Sequence, residues 1–132
     1  MSNTEIKNLP SWGKHLVVDG AGCTDAINNR ETIIKFIDQL VHDIDMKAYG
    51  RPQVEWFADH DPTKAGFTAV QLIETSAIVV HFVPQTWTLH ADVFSCKDFE
   101  SQTVVDLLTQ YFGIQKANIK EFPREAPDMS AV

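Results

Sequence analysis

The sequence predicts an α+β fold, with two helices packed on one face of a largely antiparallel β-sheet in the order strand, helix, strands, helix, strand. Two observations predict it. Apolar residues recur at helical spacing in only two segments, 28–46 and 98–112. Between 66 and 96, strand-like runs follow one another too closely for a crossover helix, which leaves an antiparallel meander. At 132 residues the chain reads as one domain, 1–132, long enough to hold a core without disulfides.

Taken in order, HLVVD at 15–19 reads as a first strand closed by a Gly20-Ala21-Gly22 turn. Ile33, Ile37, Leu40, Val41 and Ile44 then form the apolar stripe of a helix, with Asn28 as N-cap and Glu31 as its capping-box partner. Tyr49-Gly50-Arg51-Pro52 reads as a turn, QVEWFAD as extended, and HDPTKAG as a break. FTAVQLIE, SAIVVHFV and TWTLHADVFSC are the meander, the last two joined through Pro84-Gln85. Asp98 is placed to cap a second helix whose stripe is Val104, Leu107, Leu108, Tyr111 and Phe112, with Gly113 ending it. KANIKEF is a last strand, and the ends, about 1–9 and 123–132, read as loose.

Composition excludes several functions. A net charge of −7 repels a phosphate backbone, and no Lys/Arg cluster interleaved with aromatics offsets it, so nucleic acid is not an expected partner. No apolar run reaches the roughly 18 residues of a membrane span. MSNTEIKNLPSWGKH lacks the apolar region of a secretory signal, so the expectation is a cytoplasmic protein without a membrane partner. Cys23 and Cys96 are far apart and form no CxxC, and no His pair has metal-helix spacing; the expected metal count is none.

Gly20-Ala21-Gly22 lacks the remaining residues of a phosphate loop, and no GxSxG elbow presents a hydrolase serine. What remains is Ser76, His81 and Cys96. Burying a hydroxyl or an imidazole in a strand without a partner costs roughly 1–3 kcal/mol, so each needs a hydrogen bond or a task. On an ideal strand Ser76 and His81 face opposite sides, while Cys96, ending the next strand, can return near the start of the first. Geometry permits a cluster at one sheet end without demanding it.

Gly13-Lys14-His15-Leu16-Val17-Val18-Asp19, Gly22-Cys23, Ser76-Ala77-Ile78-Val79-Val80-His81 and Asp92-Val93-Phe94-Ser95-Cys96 resemble the small prokaryotic S-adenosylmethionine decarboxylases, pyruvoyl enzymes of polyamine (spermidine) synthesis. The resemblance runs from about Trp12 to Phe122, and the serine, histidine and cysteine keep the family's intervals of five and then fifteen residues. It implies a pyruvoyl group made from Ser76. The Ser76 hydroxyl attacks the Thr75 carbonyl, His81 matches the base that removes the Ser76 α-proton, and Thr68 matches a serine that assists. Cleavage at Thr75-Ser76 yields chains 1–75 and 76–132. The ketone then draws the electrons released with carbon dioxide from a bound amine, and Cys96 matches the proton donor. The resemblance also implies a small-molecule substrate and a homodimer with sites shared between protomers.

The chain departs from the family at several positions. Thr75-Ser76-Ala77 stands where the family has Glu-Ser-His, with Glu74 one place earlier; Val83 replaces a tryptophan, and Gln85 a glutamate that meets ribose hydroxyls. Gln85 and Glu74 are the candidate substrate contacts. S-adenosylmethionine is the default substrate. Ornithine or arginine is the alternative, with Asp59, Asp61 and Glu74 for the distal cation, and an uncleaved, non-catalytic relative with a binding or regulatory role is the third reading.

Overall fold

The computed structural model describes residues 11–129. Strands β1 (Gly13–Ala21), β2 (Lys47–Phe57), β3 (Gly66–Glu74), β4 (Ser76–Val83), β5 (Thr88–Ser95) and β6 (Lys116–Arg124) accompany helices α1 (Arg30–Asp43) and α2 (Ser101–Phe112). All six strands form one sheet in the order β2-β3-β4-β5-β1-β6, and every pairing is antiparallel. The expected α+β architecture is therefore present.

One face of the sheet makes the core. Leu16, Val18, Ala69, Ile73, Ile78, Val80, Phe82, Leu89, Ala91 and Val93 alternate along their strands and join one cluster with Ile33, Phe36, Ile37 and Leu40 of α1 and Val104, Leu107, Leu108 and Phe112 of α2. The rings of Phe36 and Phe82 both meet Phe112, with centroids 5.1 Å and 4.9 Å away, so that α1, α2 and β4 share one aromatic contact. Intervening residues on the other face, among them Val17, Val70, Val79 and Asp92, are half-buried with no layer of described residues above them.

The elements differ from expectation at their ends, for local reasons. β1 continues through Gly20 to Ala21, because β5 and β6 pair with it along its whole length. The N-cap of α1 is Asn29, whose side chain accepts from the Thr32 N–H at 3.0 Å; Asn28 ends a 3₁₀ turn, Asp25–Asn28. The expected turn at 49–52 lies inside β2 as a bulge, with the register shifting between Tyr49 and Gln53. β2 is an edge strand, where Pro52 forfeits no ladder bond, and buried Gln71 donates to the Tyr49 and Gly50 carbonyls, at 3.3 Å each.

Asp98 does not cap α2. Its carboxylate accepts from the adjacent Phe99 N–H at 3.0 Å, and Glu100 occupies the cap position without a side-chain hydrogen bond. Gly113 ends α2 in the left-handed conformation, φ 69°, as expected. Pro123 and Arg124 belong to β6 rather than to a loose tail, held by pairing with Lys14 and Gly13. The expectation for 1–9 and for the last three positions lies outside the described residues.

Candidate active site

Two groups of reactive side chains form. The first surrounds the Thr75-Ser76 bond. Glu74 and Thr75 make the two-residue turn between β3 and β4, across which Ile73 pairs with Ser76; on its other side Ser76 pairs with Ser95 of β5. That register carries Cys96 to the turn. Its N–H donates to the Thr75 carbonyl at 3.4 Å and its thiol is in hydrogen-bond contact with the Thr75 hydroxyl. Ser76 has φ 131°, outside the regions open to an L-residue, which stores about 1–3 kcal/mol of backbone strain next to the bond in question.

Beside Cys96 lies a cavity of about 260 Å³ lined by Gly13, Lys14, Asp98 and Glu121. Lys14 spans its wall, with its ammonium 3.5 Å from Asp98 and 3.7 Å from Glu121 and a hydrogen bond to the Phe99 carbonyl. The second cysteine is of a different kind. Cys23 is buried, and burial pushes its thiol up to about 11, leaving it inert as a nucleophile.

The second group centres on His81. Thr68 of β3 is its direct register partner, and their side chains meet on the open face, Thr68 Oγ1 to His81 Nδ1, at 2.6 Å. The other ring nitrogen, Nε2, lies 2.7 Å from the Lys64 carbonyl oxygen. A carbonyl only accepts, so in the neutral ring Nε2 carries the proton and Nδ1 is the free base that receives the Thr68 hydroxyl hydrogen.

The structure thus brings Cys96 to Thr75-Ser76 and Thr68 to His81, but it does not bring the two groups together. Five residues of β4 separate Ser76 from His81, roughly 16 Å at about 3.3 Å per residue. A cluster of all three at one sheet end is not formed within one chain, because β4 is straight in register from Ser76 to His81 against both neighbours. Gln85 is farther still, exposed in the turn after β4.

The carboxylates considered for a distal cation are engaged elsewhere. Asp59 accepts from the Trp56 indole N–H, Asp61 from Thr63, and Glu74 lies 3.5 Å from the Lys47 ammonium. Sequence reasoning missed two His–Asp pairs on the open face: His90 Nδ1 is 2.7 Å from Asp19 Oδ1, and His15 Nε2 is 2.9 Å from Asp92 Oδ1. Period-2 alternation put all four residues on one face, but only the β1–β5 register shows which of them meet.

Fold and site define a small α+β protein that sets hydroxyl, thiol and imidazole groups in contact along a central strand of its sheet. The family model described as S-adenosylmethionine decarboxylase matches residues 14–125. A protein of Clostridium botulinum (strain Langeland), called S-adenosylmethionine decarboxylase proenzyme, is 32% identical over 114 residues, covering 85% of this chain and 93% of the relative. A protein of the same description from Anoxybacillus flavithermus is 24% identical over 117 residues, covering 88% and 90%. In fold, the chain is similar to the crystal structure of the adenosylmethionine decarboxylase from Aquifex aeolicus, with a TM-score of 0.75 and 20% identity, over 91% of this chain and 96% of that one. The chain belongs to the S-adenosylmethionine decarboxylase family.

Proposed function

We propose that this protein decarboxylates S-adenosylmethionine after cutting itself between Thr75 and Ser76. The observation that carries the reading is the Thr75-Ser76 turn, which holds a strained serine with the Cys96 thiol against its neighbour. The Ser76 hydroxyl adds to the Thr75 carbonyl carbon and displaces the Ser76 nitrogen, turning the amide into an ester. Removal of the Ser76 α-proton by His81 expels the Thr75 carboxylate. The dehydroalanine that remains takes up water and releases ammonia, which leaves a pyruvoyl group at position 76.

The residues present fit that group. The serine that forms it opens a central strand, and Cys96, which lines the neighbouring cavity, has its thiol at hand to hold a proton for the product carbon. When formed, the ketone supplies an electron sink for decarboxylation. Thr68 keeps Nδ1 of His81 supplied with a hydrogen-bond partner, and Lys14, with Asp98 and Glu121, gives the cavity wall its polar groups. The small-molecule substrate is S-adenosylmethionine. The alternative of ornithine or arginine loses its support, since Asp59, Asp61 and Glu74 each already serve a group of the chain itself.

The separation of Ser76 from His81 makes a homodimer part of this reading. In a two-fold pair joined through the open faces, Thr68 and His81 of one copy reach Ser76 of the other. Half-buried Val17, Val70 and Val79 on that face support it.

Intact mass after expression tests the cleavage: fragments matching 1–75 and 76–132 are expected, and a lasting full-length chain favours the uncleaved relative. Mixing tests the sharing. Ser76→Ala and His81→Ala chains stay whole when made alone; expressed together, the His81→Ala chain is cut, and failure to cut it in any mixture refutes the shared site.

A further inference from the structure

The imidazole at 81 owes its proton arrangement to a carbonyl, and that carbonyl is presented by a turn with a single organising side chain. Between β2 and β3 the chain reverses over residues 58–65. Asp61 Oδ1 accepts from the Thr63 N–H at 3.0 Å and the Thr63 hydroxyl at 2.7 Å. The Asp61 carbonyl accepts from the Lys64 and Ala65 N–H groups, both at 2.9 Å, and the Asp61 N–H donates to the Ala58 carbonyl at 2.9 Å. With both amide hydrogens of the Lys64 unit and its successor tied to Asp61, the Lys64 carbonyl is left to point out of the turn, where it meets His81 Nε2 at 2.7 Å.

We infer that Asp61 is a positioning residue: through the Asp61-Thr63-Lys64 turn it holds a carbonyl on His81 Nε2, so that the ring keeps its proton there and offers Nδ1 to Thr68 as a base. This rests on the reading of His81 as the base of self-cleavage. Without the turn, water replaces the carbonyl. Water both donates and accepts, so it fixes neither the tautomer nor the ring plane, and Thr68, itself donor and acceptor, serves either tautomer equally well. The constraint therefore comes from the carbonyl side alone. The Asp61 carboxyl is held below its ordinary range, first by the Thr63 hydroxyl and next by the Thr63 backbone N–H, so it remains an ionised acceptor at neutral pH.

The test is nitrogen NMR of the His81 ring in the uncleaved Ser76→Ala chain, with cleavage rates measured in parallel on chains that keep Ser76. The expected spectrum has the proton on Nε2. Asp61→Ala should mix the two tautomers and slow cleavage about threefold to tenfold, the weight of one neutral hydrogen bond. Asp61→Asn, which retains the Oδ1 acceptor, should restore both. A proton on Nδ1 in the Ser76→Ala chain overturns the inference even if Asp61→Ala does not fold. So does an Asp61→Ala chain with unchanged tautomer and rate, or an Asp61→Asn chain that behaves like the alanine variant. If chains with Ser76 never cleave, the reading of His81 fails, while the ring spectrum still decides the inference.

Discussion

Gly66 stands where β3 enters beside β4, and alanine there tests how tightly the sheet holds the imidazole site. A Cβ at Gly66 would lie 1.7 Å from the Phe82 carbonyl oxygen, 2.8 Å from its carbon and 3.1 Å from Pro84 Cδ. The first two atoms are backbone and cannot swing aside. Restoring an ordinary contact of about 3.5 Å requires β3 and β4 to part by nearly 2 Å at this end. Phe82 follows His81, so the same movement takes the 2.6 Å Thr68–His81 bond beyond hydrogen-bond range.

Overpacking costs typically 1–3 kcal/mol and a lost hydrogen bond about 1 kcal/mol, so about 3 kcal/mol is expected in all. With 132 residues at about 2.1 cal/mol/K each, the unfolding entropy is about 280 cal/mol/K, and Tm should fall by about 11 °C. Gly50 is the control. Nothing lies within 4 Å of its added Cβ, and only its φ of 73° resists, for about 1 kcal/mol and about 4 °C. Both variants should be melted in the Ser76→Ala background at one protein concentration. A Gly66→Ala chain within 3 °C of its parent, or one that loses less than Gly50→Ala (in each case beyond about 1 °C of error), refutes the reasoning.

The two thiols should react very differently: iodoacetamide at pH 8, followed by peptide mass spectrometry, should label Cys96 at least about tenfold faster than Cys23. Because the Cys23 thiol is raised from 9.0 to about 11 by burial, its contribution to stability is complete below pH 9 and is lost as pH rises through about 11. Denaturant midpoints that rise between pH 9 and 11 would contradict this. Asn29→Ala should cost about 1 kcal/mol in a urea melt through loss of the cap to Thr32, whereas Asn28→Ala should cost less than half of that. Equal losses would return the cap to Asn28.

Residue periodicity by itself determined the two helices and the meander, because side-chain spacing along one element depends only on local geometry. Gly113 was legible for the same reason: glycine is the residue that most readily takes the left-handed conformation that stops a helix. Ser76, His81 and Cys96 stood out by elimination, and Thr68 was singled out only by the resemblance to the decarboxylase family. Tertiary structure decided what they touch. The bulge at Gly50-Pro52 reads as a turn until β3 is laid beside it and Gln71 reaches across. Likewise, the pairing of Thr68 with His81, of Cys96 with Thr75 and of His90 with Asp19 rests on registers between strands up to 71 residues apart. The proton on Nε2 depends on a carbonyl in a third segment, the turn before β3. Register and hydrogen-bond direction are properties of two or more segments at once, so no pattern within one of them carries the information.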